Sequence, residues 1–118
     1  MDLGKILYVD DDKLLTSTFS TLMKVEGFKN VVVYNNPVEA IEYLKLEAPD
    51  LIISDFIMPE MNGLEFLREA KKLYPETSMI LLTAYADKEN AIKAINEVGI
   101  YKYIEKPWDN EDLLINIR

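Results

Sequence analysis

The 118-residue sequence contains no cysteine and no histidine. Without cysteine there is no disulfide framework and no thiolate chemistry. Without histidine, the commonest general base and the commonest zinc ligand are both missing. Long apolar runs are missing as well. Stretches such as Met79-Ile80-Leu81-Leu82 are far shorter than the ~20 residues a membrane span requires. Positive charge is scarce: 13 lysines and arginines face 21 acidic residues, for a net charge of −8. Nucleic-acid affinity comes mainly from lysine and arginine meeting phosphates, so direct nucleic-acid binding is not expected. The opening Met1-Asp2-Leu3-Gly4 lacks a basic region followed by an apolar run and does not read as a signal peptide. The expected compartment is the cytoplasm.

What is present describes an ordinary globular domain, 49% hydrophobic and 29% charged. The length suits one domain with a real core. Lys5 to Val9 is a short apolar run ending in Asp10-Asp11-Asp12. A helical stripe of Leu15, Phe19, Leu22 and Met23 follows, closed by Gly27. Asn30 to Tyr34 reads as a second strand, and Asn36-Pro37 as an N-cap with proline at the first helical position. That helix carries Val38, Ile41 and Leu44 and stops at Pro49. Strand three runs from Leu51 to Ser54 and delivers Asp55 to a loop containing Pro59 and Asn62-Gly63. Phe66, Ala70, Leu73 and Tyr74 mark a third helix, ended by Pro75. Met79 to Thr83 is strand four. Asp87 is expected to cap a fourth helix with Ala91, Ala94, Ile95 and Val98 inward and Gly99 after it. Tyr101 to Glu105 is strand five, followed by a Lys106-Pro107-Trp108 loop. Asp109 caps a last helix bearing Leu113, Leu114 and Ile117, which looks cut short at Arg118, as in a domain excised from a longer protein. Five strands alternating with five helices predict an α/β fold with a parallel, doubly wound sheet. The common order is 2-1-3-4-5, the flavodoxin-like one.

In such sheets ligands bind at the carboxyl ends of the strands, where strand order reverses. Asp10 and Asp11 follow strand one, Asp55 strand three, Thr83 ends strand four, and Lys106 follows strand five. Each has an ordinary explanation: a helix cap (the better reading for Asp12), a turn, a polar strand end or a solvated lysine. Together on one rim, they require another. Close like charges are costly without a counter-charge. Three carboxylates against one ammonium leave about −2, which a hard divalent cation neutralises. With oxygen ligands only, the metal expected is Mg²⁺, with Mn²⁺ also suited. A carboxylate beside such an ion and a lysine is suited to accept a phosphoryl group.

These residues, as Ile6-Leu7-Tyr8-Val9-Asp10-Asp11, Asp55 through Met58-Pro59 to Gly63, Thr83-Ala84 and Lys106-Pro107, resemble the receiver domain of two-component response regulators. The resemblance covers essentially the whole chain. It implies that Asp55 is the phosphoacceptor. Asp11 and Asp55 would be direct Mg²⁺ ligands, Asp10 would act through water, and the main-chain carbonyl of Ile57 would complete the protein ligands. It further implies that Thr83 hydrogen-bonds the phosphoryl group, that Lys106 pairs with it, that Tyr103 is a switch aromatic, and that the Lys106–Pro107 bond is cis. Ile57 and Tyr85 fall where side chains tune hydrolysis in this family. Apolar Ile57 and bulky Tyr85 are expected to prolong the phosphoform. Glu105 should point away from the site by alternation.

The implied function is a phosphorylation-dependent signalling switch rather than an enzyme. Its partner would be a sensor histidine kinase or a histidine phosphotransfer protein. A homodimer through helix four, strand five and helix five is possible, with Tyr101, Tyr103 and Trp108 shaping that face. Two alternatives stand beside this. One is a degenerate receiver serving as a scaffold without phosphorylation. The other is an aspartate-nucleophile phosphatase, which needs a second aspartate where Ile57 stands.

Overall fold

A computed structural model describes residues 4–84, 87–99 and 102–117. Its elements are β1 (Lys5–Val9), α1 (Lys13–Val25), β2 (Asn30–Tyr34), α2 (Pro37–Leu44) and β3 (Leu51–Asp55), followed by α3 (Gly63–Leu73), β4 (Ser78–Ala84), α4 (Lys88–Val98), β5 (Lys102–Lys106) and α5 (Asn110–Ile117). The strands form one parallel sheet in the order β2-β1-β3-β4-β5. The flavodoxin-like α/β architecture is therefore as the sequence predicts.

Alternation along the strands divides the core in two. Leu7, Val9, Ile52, Met79 and Leu81 pack with Ala40 and Leu44 of α2, Phe66, Leu67 and Ala70 of α3, and Ala91 of α4. Ile6, Tyr8, Ile53, Ile80, Leu82 and Ile104 pack with Phe19 and Met23 of α1 and Leu113, Leu114 and Ile117 of α5. Each fully buried large side chain contributes about 1.5–3 kcal/mol. β1, β3 and β4 are covered on both faces and read as near-continuous apolar runs, while the edge strand β5 mixes charged and apolar residues.

Helix starts follow local chemistry. The Asp12 carboxylate accepts the Leu14 and Leu15 N–H groups, and Asn36 does the same for Val38 and Glu39. Asn62 and Glu65 form a reciprocal capping box. Three expectations need correction. Val38 and Leu73 are exposed, because each lies at the edge of its apolar stripe. Asp87 stands at the N-cap of α4 but makes no capping hydrogen bond. Lys106 ends β5 rather than opening the loop after it. Tyr85 and Tyr101 lie outside the described residues, as do the side chains of Ala94 and Val98.

One glycine is required by close approach. The Gly63 N–H donates to the Phe56 carbonyl at 2.6 Å. A β-carbon on Gly63 would lie 2.2 Å from the Asp55 carbonyl oxygen. The start of α3 is thereby pressed onto the end of β3. Gly63→Ala is expected to destabilise the protein by about 1–3 kcal/mol, as overpacking against backbone does. Urea denaturation measures this, and a loss near zero would mean that the loop yields freely.

Candidate functional site: an acidic cluster with one lysine

The connection from β2 to β3 passes over β1, so β1 and β3 flank the crevice at their carboxyl ends. Asp10 leaves β1 fully buried. Its N–H donates to the Tyr34 carbonyl at 3.1 Å, which ties it to the neighbouring strand. Its Oδ1 accepts the Asp12 N–H at 3.0 Å. Its Oδ2 accepts the Tyr8 hydroxyl at 2.8 Å and the Lys106 ammonium at 3.0 Å. The Asn35 amide donates to the Asp10 carbonyl and to the Thr16 hydroxyl, both at 2.9 Å. The loop after β1 is thus held from β2 and from α1.

Asp55 ends β3. Its Oδ1 accepts the Phe56 N–H at 3.0 Å and the Lys106 ammonium at 2.9 Å. No described residue donates to Oδ2. Lys106 reaches this point from two strands away, about 10 Å at ordinary strand spacing. A lysine stem and two aspartates span that gap. Glu105, next to it on β5, turns the other way and pairs with Lys88 of α4 at 3.4 Å, as alternation requires.

Burial pushes the Asp55 carboxyl up to about 6. The Lys106 ammonium pulls it down, while Asp10 and Asp11 raise it further. Burial and the neighbouring carboxylates outweigh the lysine. Burial also lowers the Lys106 pKa, but Asp55 and Asp10 overcome this, and the net shift is upward. Lys106 therefore remains a cation.

Asp10, Asp11 and Asp55 each offer one carboxylate oxygen, and these atoms lie within 4.8 Å of one another. An octahedral Mg²⁺ site is about 4.2 Å across between opposite oxygens. The donor set is all oxygen, its net charge is negative, and its spacing needs only small side-chain adjustment. It fits a hard divalent cation.

The structure therefore brings Asp10, Asp11, Asp55 and Lys106 together. Thr83 is buried at the end of β4, but its hydroxyl donates to the Ala84 carbonyl at 3.1 Å rather than to the cluster. Ile57 lies in the loop after β3 with its side chain largely exposed. Tyr103 is half-buried on β5, packs against the core and has the Lys88 ammonium beside it. The Lys106–Pro107 peptide is cis. Trp108 follows this bond and keeps part of its surface exposed. Its ring is half-buried against Tyr8 and Phe19, with centroids 6.2 Å and 6.5 Å away. Sequence reasoning missed Tyr8, Asn35 and Thr16. For Tyr8 a signal existed: it stands two residues before Asp10 on the same side of β1.

Comparison with known proteins places the chain. Residues 6–118 match the family model described as "Response regulator receiver domain". The chain belongs to that family. It is 35% identical over 116 residues to "Transcriptional regulatory protein CpxR" of Klebsiella pneumoniae, covering 98% of this chain and 48% of that one. It is 34% identical over 111 residues to "Regulatory protein AtoC" of Escherichia coli, covering 94% of this chain and 24% of that protein. The chain thus spans half or less of the length of these relatives. Among solved structures, a response regulator receiver domain protein from Clostridium thermocellum superimposes with a TM-score of 0.89 at 32% identity, covering 98% of this chain and 91% of that one. A CheY-like receiver domain protein from Methanospirillum hungatei gives 0.89 at 33%, covering 98% and 90%. Among the described residues, no helix is long and apolar enough to cross a membrane.

The raised Asp55 pKa has a consequence for stability. The folded state holds this proton more tightly than the unfolded chain, whose value is near 3.8. Stability from this group is therefore present at low pH and lost as pH rises through about 6. In metal-free solution, Asp55→Asn is expected to gain about 1–3 kcal/mol on wild type between pH 4 and pH 7. Denaturation curves in chelator at the two pH values check this, and parallel behaviour would contradict it.

Proposed function

We propose that this receiver domain is a phosphorylation-dependent switch with Asp55 as the phosphoacceptor. The observation that carries this is the Lys106 ammonium held against both Asp10 and Asp55 beside three carboxylate oxygens within 4.8 Å. A carboxylate oxygen of Asp55 attacks phosphorus in line. The P–O bond forms as the P–N bond of a phosphohistidine breaks, and the imidazole leaves with a proton taken up at nitrogen. Lys106 sits where it can pair with a transferred phosphoryl oxygen. Mg²⁺, or Mn²⁺, would be held by Asp11, Asp55 and the Ile57 carbonyl, with Asp10 acting through water because both its oxygens already have partners. Its chemistry there is to neutralise charge on the phosphoryl group.

The donor is a sensor histidine kinase or histidine phosphotransfer protein, since this chain has no histidine of its own. The setting is the cytoplasm. After transfer, the Thr83 hydroxyl leaves the Ala84 carbonyl for the phosphoryl group, and Tyr103 moves into the space released. That alters the α4-β5-α5 face used for partner binding or dimerisation. The domain assists its own phosphorylation and dephosphorylation and is not an enzyme acting on a separate substrate. Ile57 stands where an aspartate phosphatase needs its acid–base aspartate, which disfavours that alternative.

Incubation with acetyl phosphate and Mg²⁺, followed by intact mass, is expected to show one added phosphoryl group, absent in Asp55→Asn and without Mg²⁺. No adduct under any condition would favour a scaffold role instead. The exposed, apolar Ile57 cannot orient an attacking water. Ile57→Asn, alone or with Tyr85→Glu, is therefore expected to shorten the phosphoform lifetime severalfold. An unchanged lifetime in a dephosphorylation time course would exclude this role.

A further inference from the structure

The Tyr8 hydroxyl is fully buried in the core between the sheet and α1 and α5, yet among the described residues it has a single polar partner, the Asp10 carboxylate at 2.8 Å. A strand facing helices needs no hydroxyl for packing, and phenylalanine would fill the same space. We propose that Tyr8 is a positioning residue for the divalent-cation site: its hydroxyl holds Asp10 Oδ2 in place, and its ring links that carboxylate to Trp108 at the base of α5. The proposal rests on the metal-dependent switch described above.

Three donors serve the buried Asp10 carboxylate: the Asp12 N–H, the Lys106 ammonium and the Tyr8 hydroxyl. Of these, Lys106 is shared with Asp55 at 2.9 Å. Once Lys106 turns to a phosphoryl oxygen, Tyr8 is the donor that remains on Oδ2. Rotation of Asp10 is then limited by a side chain that is itself clamped. The Tyr8 ring meets Phe19 edge-on at 4.4 Å and Trp108 at 6.2 Å. Trp108 follows the cis Lys106–Pro107 bond and donates its indole N–H to Asn110, the first residue of α5. Asp10, Tyr8, Trp108 and Lys106 thus close a ring of contacts. A shift of Asp10 toward a cation is felt at Trp108 by way of Tyr8.

Tyr8→Phe removes the hydroxyl and keeps the ring, so the core packing stays intact. Trp108 is the only tryptophan, so selective excitation reads it alone. Wild type and Tyr8→Phe are titrated with Mg²⁺ by calorimetry and by Trp108 fluorescence, with circular dichroism confirming the fold of both. Because Asp10 acts through water, loss of the hydroxyl that orients it is expected to weaken affinity severalfold, short of the ~10–100-fold seen when a direct ligand loses its partner. The expected result is that loss, together with a reduced Trp108 response at saturating Mg²⁺. A purely packing role for Tyr8 would move neither. An affinity equal to wild type, or an undiminished Trp108 response at saturation, overturns the proposal. If wild type itself binds no Mg²⁺, the metal-dependent switch fails and takes this inference with it. If wild type binds and the variant behaves identically, only the role of Tyr8 falls.

Discussion

Mutual repulsion among Asp10, Asp11 and Asp55 is the constraint on which the site depends. Carboxylate oxygens within 4.8 Å of one another cost roughly 3 kcal/mol per charged pair at an effective dielectric near 20. Lys106 answers part of that cost by touching Asp10 and Asp55 together. The Asp55 pKa is raised chiefly by burial; Lys106 opposes the rise, and Asp10 and Asp11 add to it. A rim built this way favours whatever brings further positive charge, as a hard divalent cation does. The same repulsion that weakens the metal-free fold makes the site receptive.

The sheet places these groups without long-range design in the loops. Parallel strands end on one edge, so residues at or just after the strand ends border the same crevice. The order β2-β1-β3-β4-β5 puts Asp10 and Asp55 on adjacent strands and Lys106 two strands further. The close approach of Gly63 to the Asp55 carbonyl fixes the turn that follows β3. Asn35 and Thr16 hold the loop after β1 from two other elements. Thr83 stands apart, its hydroxyl committed to Ala84. A residue bonded away from the cluster is one that can be recruited to it.

Much of this was legible in the residues. The central strands β1, β3 and β4 are buried on both faces, so each shows as a short, largely apolar run. Asp12 and Asn36-Pro37 marked helix starts because capping is local chemistry, whereas Asn62-Gly63 read as loop although Asn62 caps α3. The acidic cluster followed from strand ends plus strand order. What was not legible depends on contacts far apart in sequence. Asn35 reaches Asp10 across 25 positions and Thr16 across 19. Trp108 packs on residues of β1 and α1, which no local pattern encodes. Val38 and Leu73 misled because helical periodicity does not locate the edge of the covered stripe. Tyr8 was hidden for a different reason. In a run of apolar residues a tyrosine reads as bulk, and its hydroxyl matters only because Asp10 lies two residues on.

In this reading one divalent cation would bind among Asp10, Asp11 and Asp55 and ready Asp55 for phosphoryl transfer. Backbone amide NMR during a Mg²⁺ titration of the metal-free protein tests it most directly. Saturation at one equivalent is expected, with the largest shifts at Asp10 to Asp12, Asp55 to Met58 and Lys106. An absence of saturable shifts, or shifts spread evenly over the acidic surface, would contradict it.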